Sequence, residues 1–342
     1  MANRKDISLL DESLSYINYL KDILTSTLRY RNTYRNYLTV SFQLVLGRFP
    51  IHAVLKNGEN ITICDQTGIT ALSNAKNHER ITYDIEEDVW IIVPPAQQHL
   101  NRGECGSQGN VIRIYGGREN GEVPSIFLDD AYAFLPVKGK TVIDVGANIC
   151  DSSIYFALCG AKKIIAVEPL PKNFEIGKKN IEVNNLVKEI TLLAGGCSGK
   201  QGSTVVDRSH HGIGAYVMGK NNDVNNNSII DSNTIRIPLL TLKDILDNSK
   251  DLSNDIILKI DCEGCEYDAT LSADRNILRR FSHILIEYHY GYRSIVRKLK
   301  NAGFEISKTR PVARPRRDYL YGPLDEKWFY SGYIYAKRTS MK

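Results

Sequence analysis

The distribution of hydrophobic positions divides the chain into stretches of different texture. In residues 6–40, apolar side chains recur at helical spacing, which predicts one or two amphipathic helices that need a partner surface. Between about residues 50 and 128, the pattern changes to short β-type runs separated by Gly and Asn turns. This second texture predicts a small β-rich subdomain, with strands at 52–55, 61–64 and 89–93.

From about residue 130 onward, apolar runs of strand length alternate with helical patterns. The alternation is typical of a mostly parallel sheet covered by helices on both faces, which is a doubly wound α/β domain. Helices are predicted at 151–160 and 171–184. Strands are predicted at 141–145, 163–168, 190–194, 235–239, 256–261, 283–287, 304–307 and 328–336.

The length of 342 residues is large for one compact domain, so we expect a main domain with an N-terminal extension. The predicted parts are amphipathic helices at 1–45, the β-rich subdomain at 46–128 and the α/β domain at 129–342. The Asn-rich stretch 221–233 is predicted to be a solvated insertion, because of its composition.

Composition and charge narrow the classes of protein. The net charge of +5 is too small to indicate a nucleic-acid-binding stripe. No apolar run approaches the roughly 18 residues of a transmembrane helix, and the N-terminus lacks the apolar core of a secretory signal. We therefore expect a cytoplasmic protein without a transmembrane segment. Peripheral contact with a membrane stays open, and the oligomeric state is not predicted.

The seven cysteines form an odd set without a regular framework, which favours a reducing cytoplasm over an oxidising exterior. Cys262 and Cys265 are the only close pair. A zinc site would need a second pair at suitable spacing, and the sequence has none. No metal site is predicted.

The loop after the first α/β strand is the natural place for a cofactor, because ligands of doubly wound sheets bind at the carboxyl ends of the strands. A dinucleotide loop needs G-x-G-x-x-G, whereas here Gly146 is followed by Ala147, Asn148 and Cys150. Asp144 at the strand end would repel a diphosphate but would suit a sulfonium and an ammonium group. The loop therefore favours S-adenosylmethionine, and an oxidoreductase is the least favoured enzyme class.

Glu168 ends the second α/β strand, 24 residues after Asp144. An acidic side chain at this place can accept both hydroxyls of an adenosine ribose. NAD-binding proteins share this feature, so it supports S-adenosylmethionine only in combination with the Asp144 loop. Two acids that merely cap helices at the sheet edge are the structural alternative.

Three segments resemble signatures of the FkbM family of methyltransferases: residues 141–170, the run 258–268 from Leu to Asp, and Ile-Glu-Tyr-His at 286–289. The resemblance covers roughly residues 130–310. It implies a class I methyltransferase, with a seven-stranded sheet whose last strand is antiparallel, that O-methylates hydroxyls of sugars and natural products. One departure is Cys150, where the family usually has Gly. If the backbone has a positive φ there, the Cβ atom costs roughly 1–2 kcal/mol.

The resemblance also implies roles for residues of the cofactor edge. The methionine end of the cofactor is expected at Asp144, Gly146 and Asn148, and its ribose at Glu168. We expect four further residues at neighbouring strand ends or in the next helix to assist, with Ser153 beside the loop, Ala194 and Gly195 at the adenine, and Asp261 at the ammonium group.

Methylation of a hydroxyl requires a base within hydrogen-bond reach of its proton. His289 is a candidate because imidazole titrates near neutral pH, and Glu263 because it follows Asp261 closely at the sheet edge. Glu287 is the third catalytic candidate. A buried or surface histidine without a catalytic role is the alternative for His289. Elsewhere, Glu266 has the position of a helix start, and His210 and His211 are expected in a surface loop.

The expected acceptor is a hydroxylated small molecule, such as a sugar or a glycolipid, and nucleic acid is not an expected partner. An RNA methyltransferase is an alternative, although the Asn-Pro-Pro motif of base N-methylation is absent. A non-catalytic protein that binds the cofactor or a glycan is a second alternative, which labelled methyl transfer would separate from the enzymes.

The segment 308–317 has five basic residues in ten and no acid, which favours an acceptor with a phosphate or an acidic sugar. A solvated loop, or one in contact with an anionic membrane, is the alternative.

We predict that changing Arg314, Arg316 and Arg317 together to Gln raises the KM for the acceptor and makes it less salt-sensitive. Steady-state kinetics with a parallel measurement of cofactor affinity, which should not change, test this. Unaltered kinetics would leave the segment as ordinary surface.

Overall fold

The computed structural model describes residues 6–56, 58, 60–63, 80–84, 86–94, 111–117, 122–207, 234–315 and 328–339. The chain forms two compact units. The first contains Met1–Tyr16 and Val137–Lys342, and the second contains Ile17–Pro136. The predicted domain boundaries at residues 45 and 128 stay a prediction.

The second unit has the helical and β-rich textures that the sequence predicts. Its core includes the fully buried Tyr34, Val40 and Ile51. One antiparallel sheet pairs β1 with β2, and another has the order β3-β4-β5. Residues 9–16 of α1 belong to the first unit. The elements up to residue 136 are α1 Leu9–Thr33, α2 Tyr37–Val45, β1 Ile51–Val54, β2 Asn60–Ile63, β3 Ile81–Asp84, β4 Val89–Ile92, β5 Ile112–Tyr115 and α3 Glu122–Phe127.

The first unit alternates strands and helices, as the hydrophobic pattern predicts. Its helices are α4 Asp151–Leu158, α5 Pro171–Val183, α6 Leu242–Asn248, α7 Cys265–Ser272, α8 Arg275–Leu278 and α9 Arg293–Asn301. Its strands are β6 Thr141–Val145, β7 Lys163–Glu168, β8 Ile190–Ala194, β9 Gly196–Cys197, β10 Gly202–Asp207, β11 Thr234–Leu240, β12 Ile256–Ile260, β13 Phe281–Tyr288, β14 Phe304–Lys308, β15 Val312–Pro315 and β16 Trp328–Arg338.

The main sheet has the order β14-β16-β13-β12-β6-β7-β8, and β15 pairs with β16 beside this path. Strands β6, β7, β8, β12 and β13 pair in parallel, whereas β16 runs antiparallel to both β13 and β14. The predicted α/β fold class, with seven strands along the path and an antiparallel last strand, is confirmed.

The strand predicted at 235–239 does not join this sheet. The observed strand β11 pairs antiparallel with β10 and parallel with β9 in a separate three-stranded sheet. Only Ile237 is buried along β11, whereas every residue of β6 and β12 is buried. A strand at the centre of a parallel sheet is covered on both faces, so the mixed exposure of β11 agrees with its different place.

The N-terminal segment is part of the first unit. The backbone oxygen of Asp6 accepts hydrogen bonds from the N–H groups of Tyr292 and Arg293 at 2.9 and 3.0 Å, and the Ser294 N–H donates to the Asp6 carboxylate at 2.7 Å. The hydroxyls of Tyr16 and Tyr330 lie 3.0 Å apart. These contacts attach the start of the chain to the beginning of the helix that follows β13 and to β16.

The turn between β6 and α4 contains several residues with positive φ, including Gly146 at 75°, Asn148 at 50° and Cys150 at 65°. A Cβ atom on Gly146 would lie 1.8 Å from the backbone oxygen of Asp261, so only glycine fits there. Cys150 is fully buried, and its sulfur faces Gly177, where a Cβ atom would lie 2.8 Å from it. Cys150 therefore occupies a left-handed conformation that a Cβ atom disfavours.

We predict that Cys150→Gly is more stable than Cys150→Ala by about 1 kcal/mol. Both variants remove the thiol from the same buried place, but only glycine removes the Cβ atom from the left-handed backbone. Urea unfolding of the two variants beside the unmodified protein measures the difference. An alanine variant as stable as the glycine variant would show that the backbone at residue 150 is not left-handed.

Candidate functional site

The carboxyl ends of the central strands bring the predicted site residues to one edge of the sheet. Strand order reverses between β6 and β12, whose neighbours continue outward in opposite directions. The loops after these two strands are in contact, since the Asp261 N–H donates to the Val145 oxygen at 3.0 Å. In doubly wound sheets, such a switch point is where ligands bind.

Asp144 lies inside this edge and has several partners there. Its carboxylate is fully buried, and Lys259 Nζ lies 3.0 Å from Oδ1. The hydroxyls of Ser152 and Ser153 donate to Oδ2 at 2.7 and 2.6 Å. Lys259 also donates to the backbone oxygen of Gly146 at 3.2 Å. Lys259 therefore neutralises the charge of Asp144, and the hydrogen bonds of both residues fix the loop. The charge of Asp144 consequently no longer excludes a diphosphate from this place.

Glu168 connects the loops that follow β6 and β7. Its carboxylate accepts from the N–H groups of Asn148 at 2.8 Å and Leu170 at 2.9 Å. Burial raises the pKa of Glu168 to about 7, although these backbone hydrogen bonds act in the opposite direction. Asn148 Oδ1 is also buried, and no described residue forms a hydrogen bond with it.

The remaining cofactor candidates lie on both sides of this loop. Ala194 is exposed and pairs in register with Glu168, and the Gly195 N–H donates to the Glu168 backbone oxygen at 3.1 Å. Asp261 keeps 15% of its side chain exposed and lies 3.9 Å from Lys259. The structure therefore brings all of the predicted cofactor residues to one edge.

A second group of side chains surrounds His289, just beyond the end of β13. Its Nδ1 lies 2.9 Å from Glu266 Oε1, and its Nε2 lies 3.4 Å from Glu263 Oε2. His289 is buried and Glu266 is fully buried, whereas Glu263 keeps 17% of its side chain exposed. Glu263 is thus the member of this group that a ligand can reach most easily.

The pKa values in this group follow from burial and mutual charge. Burial lowers the pKa of His289, but the carboxylates of Glu263, Glu266 and Glu287 outweigh it and hold that pKa well above its usual range. Burial raises the pKa of Glu263 to about 7, even though His289 acts to lower it. Burial and the charge of Asp261 raise the pKa of Glu287 to about 8.

These directions change the roles that the sequence suggests. A histidine that keeps its proton at neutral pH cannot accept another one, so His289 in this state is not a base. Glu263 titrates in the range that general bases need. Glu266 is not among the catalytic residues that the sequence predicts, because its position at a helix start is a sufficient explanation for an acidic residue. Its spacing of three residues from Glu263 was the available signal.

Cys262 and Cys265 form a disulfide that encloses Glu263 in the sequence. Cys159 is also disulfide-bonded. The expectation that the cysteines remain reduced is therefore wrong for these residues, because the pairing depends on the approach of side chains in the fold and not on a regular spacing. The free cysteines of the described part are Cys150 and Cys197.

Some candidates lie outside the described residues. These are His210 and His211, the insertion 221–233, and Arg316 and Arg317 of the basic segment.

Among the described helices, none is long and apolar enough to cross a membrane. In the same part of the chain, no group of three or more His, Cys, Asp or Glu side chains is placed to hold a metal ion.

We predict that the free energy of unfolding decreases as the pH rises from 6 to 8.5. Glu168, Glu263 and Glu287 have raised pKa values, and the pKa of His289 also lies well above its usual range. The native state therefore binds more protons than the unfolded state, so stability falls with pH. We expect a decrease of about 2 kcal/mol or more.

Urea unfolding at a series of pH values measures this decrease. The variant Glu287→Gln should show a shallower dependence on pH, because it lacks one of the titrating groups. A stability that is constant or increases over this pH range would contradict the assignment of these raised pKa values.

Comparison with known proteins identifies the domain that carries this edge. Residues 144–306 match the family model described as a methyltransferase FkbM domain. Among curated proteins, the comparison finds no match.

Several solved structures that resemble the chain are described as methyltransferases. A methyltransferase FkbM from Methylobacillus flagellatus KT is 15% identical, with a TM-score of 0.37, over 62% of this chain and 47% of its own length. The METTL16 methyltransferase domain is 10% identical, with a TM-score of 0.41, over 88% and 92%. A putative RNA methyltransferase from Pyrococcus horikoshii is 14% identical, with a TM-score of 0.32, over 64% and 86%. These TM-scores are too low to carry an argument about function.

The family match covers β6 to β14, and it contains the switch point, Glu168 and the group around His289. Residues 144–306 therefore match the methyltransferase FkbM domain, and the edge described above lies within the matched residues.

Proposed function

We propose that the protein transfers a methyl group from S-adenosylmethionine to a hydroxyl of a sugar, a glycolipid or a similar small molecule. The observation that carries this proposal is the group of Glu263, His289 and Glu266 beside Asp261, at the carboxyl edge of a methyltransferase sheet. A hydroxyl gives up its proton with difficulty, so its methylation benefits from a base such as Glu263.

The residues of the β6 loop fit S-adenosylmethionine. Glycine at 146 lets the backbone of Asp261 approach the β6 loop closely, which brings the two loops of the site together. Asn148 Oδ1 is a buried acceptor without a partner among the described residues. Asp261 is partly exposed for a cationic group, and Glu168 has carboxylate oxygens for ribose hydroxyls. When bound, the cofactor supplies a methyl group on a sulfonium sulfur. Asp144 and Ser153 are buried beneath the loop and fix it through their mutual hydrogen bond.

The proton of the acceptor hydroxyl moves to Glu263 in this mechanism. Glu266 holds His289 through Nδ1, and the opposite nitrogen faces Glu263 at 3.4 Å. A protonated His289 stabilises the carboxylate form of Glu263, which is the form that accepts a proton. Glu287, with its raised pKa, retains its own proton near neutral pH and avoids adding another negative charge beside Asp261.

The acidic character of this group bears on the acceptor. A phosphate or an acidic sugar of the acceptor would be repelled by Asp261 and Glu263, so it would have to lie elsewhere, and the segment 308–317 is our candidate. Lys308 at its start lies 3.7 Å from Asp11 and 3.9 Å above the ring of Tyr292. The anionic acceptor and a cytoplasmic location both stay proposals.

We predict that Glu168→Ala weakens the binding of S-adenosylmethionine by about 1.5–3 kcal/mol, the range for a hydrogen bond to a charged group. Calorimetry measures this. The matched control is Glu182→Ala on the exposed face of α5, which should bind as the unmodified protein does. Equal affinity in Glu168→Ala would remove the ribose assignment.

We also predict that Glu263→Gln lowers kcat by about 10²–10⁴-fold, the typical contribution of a general base. Cofactor affinity should change little. In the unmodified enzyme kcat should rise with pH through about 7 as Glu263 loses its proton, and the variant should lack this rise. A variant with unchanged kcat and an unchanged pH profile would assign the base elsewhere.

Incubation with radiolabelled S-adenosylmethionine and fractionated cell extract tests the function as a whole. Label in polar lipid or glycan supports the proposal, whereas label in RNA supports the alternative of an RNA methyltransferase. Cofactor binding without transfer to any fraction would support a non-catalytic binding protein.

A further inference from the structure

We propose that the Cys262–Cys265 disulfide is a reversible, redox-sensitive element that positions Glu263 against His289. The cysteines act through their neighbour, so they are positioning residues. The effect on catalysis rests on the proposed function. The coupling between the disulfide and the protonation of His289 does not, because it involves only contacts among described residues of this chain.

The disulfide encloses Glu263 in a small covalent ring. The Cα atoms of Cys262 and Cys265 lie 5.5 Å apart, with Glu263 and Gly264 between them. Asp261 immediately precedes the ring at the end of β12, and α7 begins at Cys265. Because both ends of the ring are attached to regular elements, the crosslink determines how the chain passes from strand to helix at the catalytic edge.

The ring contains an unfavourable backbone conformation. Glu263 has a φ of 52° and Gly264 has a φ of 120°. A positive φ is uncommon for a residue with a Cβ atom, and it persists where the surroundings impose it. Here the disulfide joins the two flanking residues, so it restricts the rotations by which Glu263 could leave this conformation.

The same ring shares a hydrogen-bond network with the histidine. The Gly264 N–H donates to Glu266 Oε2 at 2.6 Å, and the sulfur of Cys262 lies 3.7 Å from that oxygen. The other oxygen of Glu266 lies 2.9 Å from His289 Nδ1. The disulfide ring and His289 therefore meet at the Glu266 carboxylate, and Glu263 faces the other nitrogen of His289.

Reduction changes both the covalent ring and this network. A dithiol reductant gives two electrons and two protons, the Sγ–Sγ bond breaks, and the reductant leaves as a cyclic disulfide. A small-molecule disulfide reverses the step by thiol–disulfide exchange. Cys262 and Cys265 are both partly exposed, which gives the reagent access. The new Cys262 thiol becomes a donor beside Glu266 Oε2.

We expect Glu263 to leave the left-handed conformation once the ring is open. Its carboxylate then moves away from His289 Nε2, and the charge that helps to hold the proton on His289 is lost. Disulfides of cytosolic proteins are usually transient and either catalytic or redox-sensing. A reversible bond is thus compatible with the proposed cytoplasmic location.

Titration of His289 in the full-length protein tests the coupling without an acceptor. The protein is labelled with ¹³C at Cε1 of its seven histidines, and the His289 signal is assigned by its loss in His289→Gln. Titrations from pH 5.5 to 9 are recorded in the oxidised state and after reduction with dithiothreitol. We expect reduction to lower the pKa of His289 by about 1 or more, because an adjacent carboxylate shifts a pKa by about 1–3.

Two variants assign the response to this disulfide. The double variant Cys262→Ala and Cys265→Ala should titrate as the reduced protein does, with or without dithiothreitol. Cys159→Ser removes the other disulfide and should retain the response of the unmodified protein. The same His289 titration in oxidised and reduced protein would overturn the proposal, as would a response that persists in the double variant.

Methyl transfer is then compared in the two states, with S-adenosylmethionine and the labelled extract fraction. The oxidised protein should transfer at least tenfold faster at pH 7.5, with equal affinity for S-adenosylhomocysteine in both states. Equal rates in a protein whose His289 titration responds to reduction would overturn the positioning of the base. Absence of transfer in both states would contradict the proposed function instead, and the titration would still decide the coupling.

Discussion

The buried ion pair between Asp144 and Lys259 is the interaction on which the site depends. Both side chains are excluded from water, and they project from neighbouring parallel strands at positions that pair in register. Burial of two charges is unfavourable unless further hydrogen bonds satisfy them. The hydroxyls of Ser152 and Ser153 and the backbone oxygen of Gly146 do so. The ion pair thereby joins the loops after β6 and β12, from which both parts of the site are built.

Two groups of carboxylates lie beside this ion pair, and their different neighbours give them different hydrogen bonds and charged partners. Glu168 accepts hydrogen bonds from backbone N–H groups, so it orders the loops after β6 and β7. Glu263 faces a histidine that Glu266 holds from its other side. Burial raises the pKa of both Glu168 and Glu263 to about 7, but the second has more exposed surface and a partner that can stabilise its charge.

Unfavourable backbone conformations are concentrated at the same edge. Asn148 and Cys150 follow β6 and Glu263 follows β12, and all three have positive φ. Such conformations persist where surrounding contacts impose them, and functional sites are common places for them. Contacts within the protein hold the first two, whereas a covalent crosslink adds to the restraint on Glu263. The two loops are therefore held by different means, only one of which can respond to reduction.

The sequence alone determined the class of fold and the edge at which the site lies. Continuous apolar runs such as 141–145 and 256–260 are local features, and a buried parallel strand is recognisable from them. Once the strands are parallel, Gly146, Glu168 and Asp261 must fall at one edge, since each follows or ends a strand. The Asp144 loop favoured S-adenosylmethionine, and the resemblance to the FkbM family added O-methylation of a hydroxyl as the expected reaction.

Only the tertiary structure decided what each charged group does there. Asp144 turns to Lys259 because the two strands are neighbours, which no pattern within either strand reveals. His289 keeps its proton because the acidic side chains of Glu263, Glu266 and Glu287 surround it, and the Cys262–Cys265 bond depends on how the chain turns into α7. Interaction energies and pKa values follow distances and burial, and for residues far apart in the chain the fold alone sets these.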